Sequence, residues 1–234
     1  MRKATIAKLA AAGLLTCAMA AAAQAVADLG FTTRAGPALV AQYTRKFGNG
    51  VADRVANWTA NAREQKASSF ARRLDAAKGR EADLLQDVNY AINRHIRGIT
   101  DQEHWGVVDY WATPAESIGS AGGDCEDYSL AKYYLLKELG VPIARLRITY
   151  VRILNQGGAA HMVLAYYASP DAEPLILDNI DAYVRTGSDR RDLDPVYGFN
   201  DDEVQLVKTG QRGKPAQIRA WLELQERLVA ESGT

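Results

Sequence analysis

Apolar residues return at helical spacing in several places along this chain. Leu39, Tyr43 and Phe47 mark one segment over 37–47, and Val51, Val55, Trp58 and Ala62 mark another over 51–64, with Gly48-Asn49-Gly50 between them. Leu84, Leu85, Val88, Ile92 and Ile96 predict a third helix over about 81–97, ended by Gly98. An irregular stretch holding Trp105, Trp111 and Pro114 follows. The next helix is expected over 125–139, stopped by Gly140 and Pro142. The period then changes. Arg145-Leu146-Arg147-Ile148-Thr149-Tyr150-Val151 alternates as a half-buried strand does, and 161–167 and 174–177 read as two more strands around a turn-rich 168–173. A final amphipathic helix is expected over 216–230. Helices first, a central helix, then antiparallel strands predict an α+β domain.

The first residues add a different pattern. Met1-Arg2-Lys3 precedes an apolar stretch from Ile6 to about Ala23, and small residues at Ala23, Ala25 and Ala27 offer cleavage sites. A basic start, an apolar run and a small-residue exit predict a signal peptide over 1–27, cleaved near 25 or 27, and therefore export to the periplasm. The remaining 28–234 is enough for one domain with a substantial core. Losing Arg2 and Lys3 from a chain with 28 basic and 28 acidic residues leaves a formal charge of −2. Without a basic excess, nucleic-acid binding has no support. A second apolar run of spanning length is not found, so no membrane span is expected in the mature chain.

Composition then singles out one residue. Cys17 falls in the segment expected to be removed, which leaves Cys125 as a lone thiol in an oxidising compartment. Its setting is Gly122-Gly123-Asp124-Cys125-Glu126-Asp127: a glycine turn, an acidic N-cap and a helix beginning at the sulfur. Unpaired N–H groups and the helix dipole at such a position favour a thiolate, and the glycines would let a substrate backbone approach. A buried, inert cysteine is the competing reading.

A thiol nucleophile needs an imidazole and an acid behind it. Of the three histidines, His95 sits late in the third helix, where it complements the helix end, and His104 lies in a loop. His161 opens an apolar strand, and the next strand, Leu175-Ile176-Leu177, ends in Asp178. A hairpin turning around 169–171 pairs residues whose numbers sum to about 339–341, so that His161 meets Asp178 or its immediate neighbour. The spacing alone thus predicts a His–Asp pair facing a helix-borne thiol.

The runs Glu103-His104-Trp105-Gly106-Val107-Val108-Asp109-Tyr110-Trp111-Ala112-Thr113-Pro114, Gly123-Asp124-Cys125-Glu126-Asp127-Tyr128, His161-Met162-Val163-Leu164 and Leu177-Asp178-Asn179 resemble the bacterial transglutaminase-like cysteine proteinases, in order over about 80–200. The resemblance implies a papain/transglutaminase-like core and a catalytic triad of Cys125, His161 and Asp178. It implies an endopeptidase that cuts a large surface adhesin near its N-terminus after paired alanines, releasing it and dispersing biofilm. It also implies an inner-membrane cyclic-di-GMP receptor whose periplasmic domain sequesters the enzyme. The acids beside the thiol, Asp124, Glu126 and Asp127, read as helix caps or as hard oxygen ligands; the resemblance implies calcium there, and no organic cofactor. For the oxyanion hole the Cys125 N–H needs a second donor, for which the Trp105 indole and His104 are the candidates. A transglutaminase or acyltransferase with the same triad, a non-enzymatic binding module, and a zinc site of Cys125, His161 and His104 are the alternatives.

Overall fold

The computed structural model describes residues 44–45 and 80–232. The signal-peptide segment lies outside the described residues. So do the helices expected over 37–47 and 51–64, apart from Thr44 and Arg45, which are helical. The third expected helix is α1 (Arg80–His95). It is followed by β1 (Arg97–Gly98), α2 (Asp101–His104), α3 (Pro114–Ser120) and β2 (Gly122–Gly123). The central helix is α4 (Cys125–Glu138), and then come β3 (Leu146–Ile153), β4 (Ala159–Tyr166), β5 (Leu175–Leu177) and β6 (Arg185–Thr186). Strands β7 (Leu193–Phe199), β8 (Val204–Leu206) and β9 (Arg212–Gly213) precede the last helix, α5 (Arg219–Ser232). Among the described residues no helix is long and apolar enough to cross a membrane.

Seven strands form one antiparallel sheet in the order β6-β5-β4-β3-β7-β8-β9, with β3 at its centre. Helix α4 is buried continuously from Glu126 to Leu136, as a helix must be when other elements cover it on several sides. Leu130, Tyr133, Leu136 and Ala131 on it join Leu85, Val88 and Ile92 of α1, Leu146 and Ile148 of β3, Met162 and Leu164 of β4, and Trp221 and Leu224 of α5 in one core. The other face of the sheet is also apolar, through Val151, Val163, Ala165 and Ile176. This is an α+β arrangement in which the central helix presses its N-terminus against the start of β4.

The stretch expected to be irregular contains two short helices. Thr113 accepts the Glu116 amide at 3.2 Å while Glu116 accepts the Thr113 amide at 3.0 Å, a capping box with Pro114 in the first turn. Strand β7 departs from the expected pattern because Pro195 and Gly198 interrupt it. Its pairing with β3 shifts register between Tyr150 and Val151, opposite Pro195, and a bulge is where an interior strand tolerates proline.

Candidate active site

Cys125 is the first residue of α4, and Asp124 stands at the N-cap position. Asp127, fully buried, turns back to accept the Asp124 amide at 3.3 Å and the Ala112 amide at 2.8 Å. That reach explains the glycine pair. A Cβ on Gly123 would lie 2.5 Å from Asp127 Oδ2, and one on Gly122 would lie 3.0 Å from His104 Cε1. The glycines make room for the protein's own side chains, and their backbone pairs with Arg97–Gly98 in a short parallel ladder.

The Cys125 thiol is half-buried, and it is the one cysteine among the described residues. It donates to Glu126 Oε2 at 3.1 Å and receives the Met162 amide, the backbone group next to His161. Ser129, one turn along α4, has its hydroxyl 2.9 Å from the Cys125 carbonyl and 3.0 Å from the Met162 carbonyl. These contacts seat the helix N-terminus on β4. Burial pushes the thiol far above its ordinary range, and the Glu126 and Asp124 carboxylates push it further; the Met162 amide pulls the other way. The acids thus oppose the helix dipole.

The β4–β5 ladder pairs residues whose numbers sum to 341, as in Leu164 with Leu177. Carried one step further, this register sets Asp178 across from Val163, and Asp178 reaches His161 on the diagonal. The His161 Nε2 to Asp178 Oδ1 distance is 2.8 Å, with both side chains buried. With Nε2 engaged, Nδ1 is the ring nitrogen left to exchange a proton. Asp178 Oδ1 also accepts the Ile180 amide at 3.1 Å, and Oδ2 accepts Arg190 Nη1 at 2.7 Å. Burial alone would raise this carboxyl. The hydrogen bonds from His161, Arg190 and Ile180 outweigh it and hold Asp178 down at about 2.

His104 Nε2 lies 2.8 Å from Ser120 Oγ, at the end of α3, with its imidazole against Gly122. Trp105 stacks edge-on with His104 and tilts against Tyr110, at centroid distances of 4.4 and 4.9 Å. His95 is the last residue of α1.

A family model described as bacterial transglutaminase-like cysteine proteinase matches residues 56–191. The chain belongs to that family. It is a cysteine peptidase. The structure is similar to that of LapG from Legionella pneumophila in an EGTA-treated form, at 34% identity and a TM-score of 0.64, over 81% of this chain and 97% of that one. A second LapG structure, calcium-bound, aligns at 33% identity and a TM-score of 0.63 over the same shares of the two chains. No curated protein matches the chain.

Four residues of this region were not singled out from the sequence. Asp101, buried on α2, has carboxylate oxygens within 4.8 Å of those of Asp124 and Asp127, and likewise of those of Asp109 and Glu126. Burial raises Asp101 to about 6 and Glu126 to about 9, and raises Asp127 strongly. Lys132, fully buried on α4, is brought down to about 7 by burial, against the pull of Asp178. Arg190 lies in Asp189-Arg190-Arg191-Asp192, which reads in sequence as an ordinary solvated charge run. The signals were a lone lysine on an apolar helix and acids flanking the Glu103-His104-Trp105-Gly106 run.

Proposed function

We propose that this chain is a periplasmic cysteine endopeptidase working through Cys125, His161 and Asp178. The observation that carries the reading is the buried His161–Asp178 hydrogen bond of 2.8 Å beside the Met162 amide that donates to the Cys125 sulfur. Asp178, bonded at Nε2, holds the imidazole so that Nδ1 takes the thiol proton. The sulfur attacks the scissile carbonyl, and His161 returns the proton to the leaving amine. Water, activated by the same imidazole, then releases the acyl group. The Cys125 N–H at the helix start is one oxyanion donor, with Trp105 or His104 as the second.

The substrate we infer is a large surface adhesin cut near its N-terminus at paired alanines, so that release frees the cell and disperses biofilm. An inner-membrane cyclic-di-GMP receptor with a periplasmic domain would hold the enzyme in check. Both inferences rest on family resemblance; export rests on the signal-peptide pattern over 1–27.

Calcium is the cation we infer for the acidic cluster, since a similar structure, that of LapG from Legionella pneumophila, is calcium-bound. The donors suit a hard cation: Asp101 lies with Asp124 and Asp127, and again with Asp109 and Glu126, and buried Asp101 Oδ1 and Asp124 Oδ1 lack any hydrogen-bond partner. When bound, calcium supplies positive charge that offsets these acids beside the thiol. The test is incubation with the exported protein fraction of the same cell, comparing wild type with Cys125→Ala and sequencing new N-termini. Cleavage by wild type alone is expected, lost on chelation and regained with calcium. Incorporation of a labelled amine in excess of cleavage would instead make the chain a transglutaminase. Activity that survives exhaustive chelation would remove calcium from the account.

A further inference from the structure

The acid of the triad is itself held by a cation. Arg190 is buried, with 8% of its surface exposed, and its three donor nitrogens are all engaged. Nη1 donates to Asp178 Oδ2 at 2.7 Å, while Nε and Nη2 grip the two oxygens of Asp192 at 3.0 and 2.9 Å. The backbone there is also fixed: the Arg190 amide bonds to Gly187 O at 3.1 Å, and Thr186 caps the preceding turn through the Asp189 amide. A carboxylate can rotate about its last torsion, and the bonds from His161 and Ile180 both fall on Oδ1, so they do not by themselves define its plane. A planar guanidinium pinned on Asp192 does define it, since it occupies Oδ2 and leaves Oδ1 to His161. From α1, Asn93 Nδ2 donates to the Asp178 carbonyl at 2.7 Å, and from α4 the buried Lys132 adds a second positive charge facing Asp178. Neither takes a carboxylate oxygen in a hydrogen bond.

We propose that Arg190, clamped by Asp192, is a positioning residue that orients the Asp178 carboxylate and through it fixes the His161 tautomer. This deepens the triad reading and rests on it. Glutamine at 190 removes the fork, and lysine keeps the charge while losing the bridge between the two acids.

The test uses the full protein with a fluorogenic peptide carrying paired alanines, together with ring 15N spectra of His161. The latter are assignable because the chain has only three histidines. For Arg190→Gln we expect kcat to fall about 10- to 100-fold, the loss a misplaced reacting group produces, with KM changed less than twofold. Arg190→Lys should fall between Arg190→Gln and wild type. The spectrum should pass from a single Nε2–H tautomer to a mixture in Arg190→Gln. If Arg190→Gln does not fold, Asp192→Asn loosens the clamp while keeping the guanidinium, and should give the same tautomer mixture. A folded Arg190→Gln with kcat within twofold of wild type overturns the proposal. So does a loss of activity with the single tautomer retained, because a merely structural residue would leave that spectrum alone. Failure of the triad reading looks different: Cys125→Ala would then cleave as well as wild type, whatever happens at Arg190.

Discussion

Gly123→Ala is the substitution whose cost can be worked most directly from the structure. The new Cβ would sit 2.5 Å from Asp127 Oδ2 and 2.7 Å from Asp127 Cβ, whereas ordinary contact begins at 3.4 Å. Asp127 is fully buried and cannot swing into solvent, so its carboxylate must retreat by roughly 0.9 Å, the shortfall between those distances. A retreat of that size stretches the 2.8 Å bond from the Ala112 amide beyond hydrogen-bonding range. Overpacking costs about 1–3 kcal/mol, and a buried amide left without its acceptor costs about 1–3 kcal/mol more. The expected loss is therefore about 2–6 kcal/mol, a large part of the stability of an ordinary domain. Urea denaturation followed by far-ultraviolet circular dichroism measures it, with Gly122→Ala as the comparison. There the added atom meets His104 and Ile99 side chains at 3.0 Å, a milder clash, and about 1–2 kcal/mol is expected. A Gly123→Ala protein within 1 kcal/mol of wild type, or less affected than Gly122→Ala, would refute the close-approach argument.

Asp178 titrates at about 2 in the fold against an ordinary 3.8, so its ionisation contributes about 2 kcal/mol that is present above pH 4 and lost as the pH falls toward 2. The stability gap between wild type and Asp178→Asn should shrink by that amount between pH 6 and pH 2 in denaturant titrations; a constant gap would contradict it. Thr113→Ala removes both the α3 cap and the 2.6 Å bond to Glu231, and should lower stability by about 1–2 kcal/mol in thermal melts, with Thr113→Ser close to wild type. Ser129→Ala strips the hydroxyl that joins Cys125 to Met162, at a cost of about 1–3 kcal/mol. Peptide cleavage at a temperature where the variant is fully folded should still drop about tenfold, and full activity there would argue against a role for this seam.

Periodic burial made much of this architecture legible. α1, α4 and β3 stand within two residues of the spans expected from apolar spacing, because each presents a regular face to one core. The partnership of His161 with Asp178 was readable because strand pairing converts chain spacing into distance, even though the realised contact is diagonal. Strands β7 to β9 were not legible. Asp194, Pro195 and Gly198 spoil the alternation of β7, and its place beside β3 depends on a bulge that only the paired strand reveals. The capping box at Thr113 and Glu116 is written plainly in Thr113-Pro114-Ala115-Glu116, but two nearby tryptophans drew the stretch toward a loop reading. Arg190 and Asp101 escaped for a deeper reason. Their charge looks solvated along the chain, and only the folded backbone buries it against other charges.

The last helix gives the acidic cluster a place in time. Arg227 Nη2 holds the Trp111 carbonyl at 2.6 Å and Glu231 holds Thr113, so α5 braces the segment whose Ala112 amide fixes Asp127. Chains are synthesised from the N-terminus, and a nascent polypeptide carries the thiol, histidine and aspartate long before it carries residues 219–232. The acidic cluster beside Cys125 therefore gains this brace only once residues 219–232 have been made. A chain still being made holds the chemistry of a peptidase before it has the frame that aims it.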